Sequence, residues 1–388
     1  MKRTLVTAGV SAAIAGGVPT AIGWMADPRR ASFAYLFGYT YAFTIVAGSL
    51  FLVMIGYACD AQWFVAVRRL AEHVVGVFPL LAVLLVPVLL SMKRLYPWTH
   101  ASRLPLAERE LVLKKLAWLN EPFFVARSIA YFVIFLVIAE LLRGLSIRQD
   151  REEARAEGLR RKMIGIAAGT LPLVALTLTF ASFDWLMSLE PAWYSDIYGV
   201  YVFAGGFVSA LGLLGVMTVV ARKRGALPEN VAAEHFHAVG RLELAMIIFW
   251  TYIAWAQLIL LWIADLPSEV TWYVRRWHGG WEWVGLALLL LHWAFPFFYL
   301  LQRGLKRRPG PFVAISAWIV VIHALDVYYL VLPAFEPGRF RFHWLDLTSL
   351  VAVGGACVAF GAWRAGGVRS YPVADPLLRE SIHYEAAL

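Results

Sequence analysis

Charge is scarce in this sequence. Asp, Glu, Lys and Arg make up only 16% of its 388 residues, against about 25% in an average soluble domain. Cysteine is scarcer still: Cys59 and Cys357 are the only two. They are too few for a four-cysteine iron–sulfur or zinc site, and no C-x-x-C-H run offers covalent haem attachment. Both lie in or beside apolar runs and read as inert core residues. No segment between the apolar runs is long enough to fold as a soluble domain, and no low-complexity tract occurs. One region lacks bases altogether, with no Lys, Arg or His from Met163 to Ala221. That same region holds Asp184, Glu190 and Asp196, within SFDWLMSLEPAWYSDIYGVYVFAG (182–205).

What is present is apolar. The residues AVILMFWYC make up 61% of the chain, and its mean hydropathy is +0.66. A single soluble core has no interior for this much apolar surface, so lipid is the natural solvent. Seventeen Trp and sixteen Tyr suit the headgroup belts of a bilayer. The net charge of +9 does not argue for nucleic acid, because the bases are scattered among short loops, a pattern that sets membrane topology.

A helix needs about 20 residues to cross a hydrocarbon core of about 30 Å. Ten segments qualify: 4–25, 33–58, 73–92, 122–142, 163–184, 197–221, 241–264, 282–302, 312–333 and 344–363. The fold class is therefore all-α and polytopic, a single transmembrane domain over 1–364 followed by a polar tail, 365–388, that packs on cytoplasmic neighbours. The first segment also resembles a secretory signal, with Lys2 and Arg3 before an apolar stretch. Its length and the lack of a clear cleavage site favour a retained helix. Ten crossings put both termini on one side. Lys and Arg concentrate there, in 143–162, 222–224 and 303–308, which assigns that side to the cytoplasm. The loop 185–196 then faces outward. The outer loop 93–121 carries six bases against this trend. It contains LAERELVLKKLAWL (106–119), which reads as an amphipathic helix along the membrane surface.

An ionisable group inside a spanning helix costs about 2.5–3.5 kcal/mol on insertion scales and so invites a functional reading. His323 and Asp326, in IVVIHALDVYYLVLP, stand three residues apart on one helix face, where the carboxylate can accept from the imidazole. Proton or quinol chemistry and a structural polar contact between helices are both open. His292, in LLLLHWAFPFFYLLQR, lies mid-helix. Pro296 cannot donate to the His292 carbonyl, so a kink is expected there, shaping either a cavity or mere packing. Asp184 ends the fifth helix and Glu190 can cap the turn after Pro191; pathway and partner-contact roles are open for both. Asp196 reads as a cap of the sixth helix. On the inner side His235, His237 and Glu243 begin the seventh helix, with Gln257 deeper in it, and Arg241 or another of the many inner bases is the simplest partner for Glu243. A haem ligated by His292 and His323 is disfavoured, since no second such pair is available. His323, Asp326 and Asp184 together suggest a ladder from mid-membrane to the outer face. The missing counter-charges of the three loop acids are then expected from water and partner subunits.

The stretches LYPWTH (95–100), SFDWLMSLEPAWYSDIYGVYVFAGG (182–206), HFHAVGRL (235–242), FWTYIAWAQLILLWIADLPSEVTWY (249–273), HWAFPFFYLLQRGLKR (292–307) and DPLLRESIHYE (375–385) resemble the second ten-helix membrane subunit of bacterial alternative complex III. That complex is a quinol:cytochrome c oxidoreductase, and the broader group is the polysulfide-reductase (NrfD-like) membrane subunits. The resemblance covers nearly the whole chain. It implies two four-helix bundles plus two flanking helices in a bacterial inner membrane. It also implies a paralogous ten-helix partner, an extracytoplasmic iron–sulfur subunit and c-type cytochrome subunits. No cofactor is expected on this chain except a quinone or quinol, with haem c and iron–sulfur clusters in the partners; a proton route is part of what the resemblance implies. Two positions depart from the family pattern: Asp265 replaces an Asn before LPSE, and Ala256 replaces a Ser before Gln257, which removes a hydroxyl from any relay there. A purely structural anchor for redox subunits and a secondary transporter are the rival readings.

Overall fold

The computed structural model describes residues 2–267 and 269–385. Among them there is no strand, and ten helices are long and apolar enough to cross a membrane. We label these α1 (Lys2–Ala26), α2 (Pro28–Ala58), α3 (Gln62–Leu90), α4 (Glu121–Gln149), α5 (Ala156–Trp185), α6 (Tyr198–Lys223), α7 (Ala233–Ala264), α8 (Trp281–Leu301), α9 (Pro309–Val331) and α10 (Trp344–Arg364). The chain is thus an all-α, multi-pass membrane protein. Helices α2–α5 pack as one bundle and α6–α9 as a second, while α1 and α10 pair with each other and lie against α2.

The two bundles meet where α2 crosses α6. Both helices are apolar nearly all round and largely buried, as expected of elements with no solvent-facing side. Small residues let their backbones touch: a Cβ added to Gly48 would stand 2.3 Å from the Gly206 carbonyl oxygen. Gly48→Val must push the bundles apart, and overpacking of this kind costs about 1–3 kcal/mol. We expect a lower thermal midpoint for the variant in detergent, whereas a conservative change on the exposed side of α4, Val133→Leu, leaves it in place. The α1–α10 pair uses the same device, with Gly9, Ala13 and Gly16 against Gly355 and Ala352.

The spans agree with the apolar segments to within a few residues at most ends. Four ends differ by seven residues or more: the end of α4, the starts of α5 and α7, and, by the most, the start of α3. Helix α3 begins at Gln62, not near residue 73, so Arg68 and Arg69 are helical and buried rather than in a loop. Their charges are matched locally. Arg68 reaches Glu72 (3.1 Å) and Asp375 (2.9 Å), and Arg69 reaches Glu72 (2.8 Å) and Asp150 (2.9 Å). Ser146 donates to both Glu72 oxygens. The tail is part of this network and folds back on its own chain. Ser381 Oγ accepts from Ala66 N, and its carbonyl contacts His235 Nε2, each at 2.9 Å.

Two further expectations are corrected. The surface helix is shorter than its pattern, Leu106–Leu113. Residues after it turn inward, where Lys115 Nζ donates to the Pro191 carbonyl (2.8 Å) and burial lowers the lysine's pKa. Asp196 is exposed and caps nothing; α6 starts without a side-chain cap.

Candidate functional site

Two of the three acids of the base-free region, Asp184 and Glu190, find their counter-charges within the chain. Asp184 is fully buried at the end of α5. Arg127, one turn and a half into α4, meets it bidentately, Nε to Oδ2 and an Nη to Oδ1, both at 2.8 Å. Tyr131 Oη donates to Oδ2 (2.7 Å) and Trp118 Nε1 to Oδ1 (2.9 Å). The guanidinium lies between the Trp118 and Phe123 rings, 4.1 and 4.2 Å from their centroids. Glu190 accepts from Arg276 (2.7 Å) and Arg275 (3.3 Å). Arg276 is wholly buried, stacks 3.7 Å over Trp272 and donates to the carbonyls of Trp272, Tyr329 and Leu330. These are closed, fully satisfied ion pairs, the form in which a buried carboxylate is tolerated. For Asp184 and Glu190 they replace the expectation that water and partner subunits neutralise the loop acids; Asp196 is exposed.

At the end of α7 nearer the termini, His235 is tied to the tail as above. His237 is buried with its Nδ1 unbonded among the described residues. Glu243 does not pair with Arg241. It is fully buried, and Ser316 Oγ on α9 donates to its Oε1 (2.8 Å) while Oε2 has no hydrogen-bond partner among the described residues. Lys306, in the short helix Arg303–Arg307 beside α7, has its pKa lowered, first by burial and then by the charge of Arg241, with Glu243 opposing.

His323, Asp326 and His292 do come together. Each is at most 1% exposed, and their ligating atoms lie within 4.8 Å of one another. On α9, His323 Nδ1 stands 3.4 Å from Asp326 Oδ2. Across the bundle contact, His323 Nε2 meets Thr44 Oγ1 of α2 at 2.9 Å. The Thr44 hydroxyl also lies within donating distance of the carbonyls of Thr40 (2.9 Å) and Tyr41 (3.1 Å). With its hydrogen on Nε2, His323 donates to Thr44 and turns the Nδ1 lone pair toward Asp326; in the other tautomer the Thr44 hydroxyl turns its hydrogen to Nε2 and Nδ1–H faces the carboxylate. Tyr201 on α6 donates to Asp326 Oδ1 at 2.5 Å. The cluster rests on the α6 backbone at Gly205, where a Cβ would stand 2.7 Å from Asp326 Oδ2.

His292 is delivered by the expected irregularity in α8. Residues Leu288–Ala294 form a π-helical turn just before Pro296, whose ring cannot bond the His292 carbonyl. Trp318 Nε1 takes up the neighbouring Leu291 carbonyl (2.8 Å). The imidazole lies against the Trp250 ring, centroids 4.1 Å apart, and neither of its nitrogens has a hydrogen-bond partner among the described residues.

Beside this cluster is a cavity of about 390 Å³, within the range of small-molecule sites. Tyr201 and Trp250 line it, with Tyr198, Trp272, Tyr273 and Gln257. Gln257 lies at the far end of α7, where its Oε1 accepts from Ser195 Oγ (3.2 Å). Burial raises the pKa of Tyr273 above the ordinary tyrosine range, so its phenol keeps its proton. Four other lining residues, Trp255, Trp277, Leu286 and Leu289, are exposed on the outer surface of the helices. Tyr201 thus borders the cavity and touches Asp326. Asp184 belongs to the first bundle, and no hydrogen bond or ion pair among the described residues joins it to Asp326, so the expected three-member ladder is not formed by direct contacts. The sequence reading missed Tyr201, Thr44 and Trp250 in the central cluster and Arg127 and Arg276 at the acids. Of these, only Arg127 carried a signal, as a base just inside a spanning helix. Compared with known proteins, the chain matches no family model and no curated sequence.

Proposed function

We propose that this chain is the ten-helix membrane subunit of a quinol:cytochrome c oxidoreductase of the alternative complex III kind. It sits in a bacterial inner membrane with both termini in the cytoplasm. A paralogous ten-helix subunit, an extracytoplasmic iron–sulfur subunit and c-type cytochromes complete the complex. The observation that carries this reading is that one phenol, Tyr201, both lines the aromatic cavity and bonds the buried Asp326–His323 pair. Oxidation of a quinol to a quinone releases two protons and two electrons. The electrons leave to the clusters and haems of the partners. The protons need a base at the headgroup, and Asp326 with His323 supplies one through Tyr201. A quinol reaches the cavity from lipid, past the exposed Trp255, Trp277, Leu286 and Leu289. The hydrogen-bonded pair Glu243–Ser316 lies two helical turns along α9 from His323, about 10 Å at 1.5 Å per residue, and extends the polar line toward the cytoplasmic face. The rival anchor reading gains nothing from Asp184 and Glu190, whose charges are matched inside the chain.

Filling the cavity tests the reading. A Cβ added at Gly285, which lines the cavity, meets the Tyr329 side chain at ordinary contact distance, nearest Oη at 3.4 Å, so Gly285→Phe directs a ring into the space. We expect the assembled complex to lose at least about tenfold in affinity for a quinone headgroup analogue, with the subunits still associated on native gels. Unchanged affinity rejects the cavity as the quinol site.

A further inference from the structure

We infer that His292, His323 and Asp326 form a binding site for one divalent transition-metal ion, with Zn²⁺ as its simplest occupant. Three Lewis bases converge here with no Lys or Arg paired to them among the described residues. In the tautomer that donates from Nε2 to Thr44, His323 presents its Nδ1 lone pair toward Asp326 Oδ2, 3.4 Å away, as a metal ligand must. A cation between these two atoms is then attracted by both. A proton on His323 satisfies that pair but leaves His292 as it is, buried with both ring nitrogens unbonded among the described residues, and an unpaired buried polar group is costly. A metal ion satisfies all three at once.

The donor set and the spacing suit such an ion. Two imidazoles and a carboxylate are a common three-ligand set for Zn²⁺, with bonds of about 2.0–2.2 Å, which place neighbouring donors about 3.4 Å apart. His323 Nδ1 and Asp326 Oδ2 already have that separation. His292 must move inward by about 1.5 Å at most, given the 4.8 Å limit on the cluster and bonds of this length. The outer partners are in place as well: Thr44 holds the far nitrogen of His323, and Tyr201 holds the other carboxylate oxygen, the arrangement that orients metal ligands. Trp250 and Tyr201 separate the site from the cavity and mark its access route. The ion and the working proton compete for one position, so the metal-bound chain is the form unable to accept a proton from a quinol; that consequence alone rests on the function proposed above.

The test uses the full chain in detergent or in its complex, stripped with chelator and then titrated with Zn²⁺ and, for visible absorption, Co²⁺. One equivalent per chain is expected, with ligand-field bands of a low-coordinate Co²⁺ site. His292→Ala and His323→Ala should each weaken binding by at least about 100-fold, the upper end of what even outer-partner changes cost, while Glu243→Gln and His237→Gln leave it unchanged. If His292→Ala does not accumulate, His292→Gln is read in its place. No bound metal at a one-to-one ratio, or equal binding by wild type and the His292 variant, overturns the inference. A chain that binds the quinone analogue and no metal overturns it alone and leaves the quinol site standing.

Discussion

Asp326→Asn in a fully assembled complex is expected to lower quinol turnover by about 10²–10⁴-fold, the usual worth of a positioned acid–base group. Asparagine has nearly the shape of aspartate and can still accept the Tyr201 hydrogen bond. It cannot take up a proton, and it cannot balance a protonated His323. The substitution therefore separates chemistry from packing. Tyr201→Phe removes only the oxygen that stands between cavity and carboxylate (2.5 Å from Oδ1), and it should lose turnover in the same range while the headgroup analogue still binds. Stopped-flow oxidation of a soluble quinol, with assembly checked on native gels, measures both. Wild-type turnover in either assembled variant removes the acid–base role from this cluster.

Breaking the Arg127–Asp184 pair is expected to have the largest effect on stability. Arg127→Ala leaves a carboxylate of 0% exposure with two neutral donors and no charge. Removing one partner of a buried pair costs about 3–5 kcal/mol. The same substitution also strips the cation from between Trp118 and Phe123, which unpins the segment after residue 113 from the membrane face. Unfolding in mixed detergent micelles should show the loss. Replacing both partners, Arg127→Met with Asp184→Leu, should recover part of it, because a pair exchanged for apolar groups often comes out neutral. An Arg127→Ala chain as stable as wild type contradicts the structural role given to this ion pair.

The ten spans were legible because bilayer thickness imposes a length on apolar runs that needs no partner to be recognised. The start of α3 was not, because Arg68, Arg69 and Glu72 are tolerated in a buried helix only once Asp150 and Asp375 arrive from distant parts of the chain. The same holds for the loop acids. Asp184 and Glu190 lie 57 and 86 positions from Arg127 and Arg276, and no periodicity announces a pairing at that distance. His292, His323 and Asp326 stood out because an ionisable group in a spanning helix is rare enough to be noticed singly. The ladder to Asp184 was drawn from depth alone, and depth does not say which bundle a residue faces. Tyr201 was silent in the sequence: within GVYVFAGG nothing distinguishes a phenol that bonds a buried acid from one that packs.

The account turns on the cavity, Tyr201 and the Asp326–His323 pair acting as one quinol site. A structure of the complex with a quinone headgroup analogue bound tests this most directly. The headgroup is predicted in the aromatic cavity, with one of its oxygens within hydrogen-bond distance of Tyr201 Oη. A headgroup bound elsewhere in the complex, with this cavity filled by lipid tail or side chains, contradicts it.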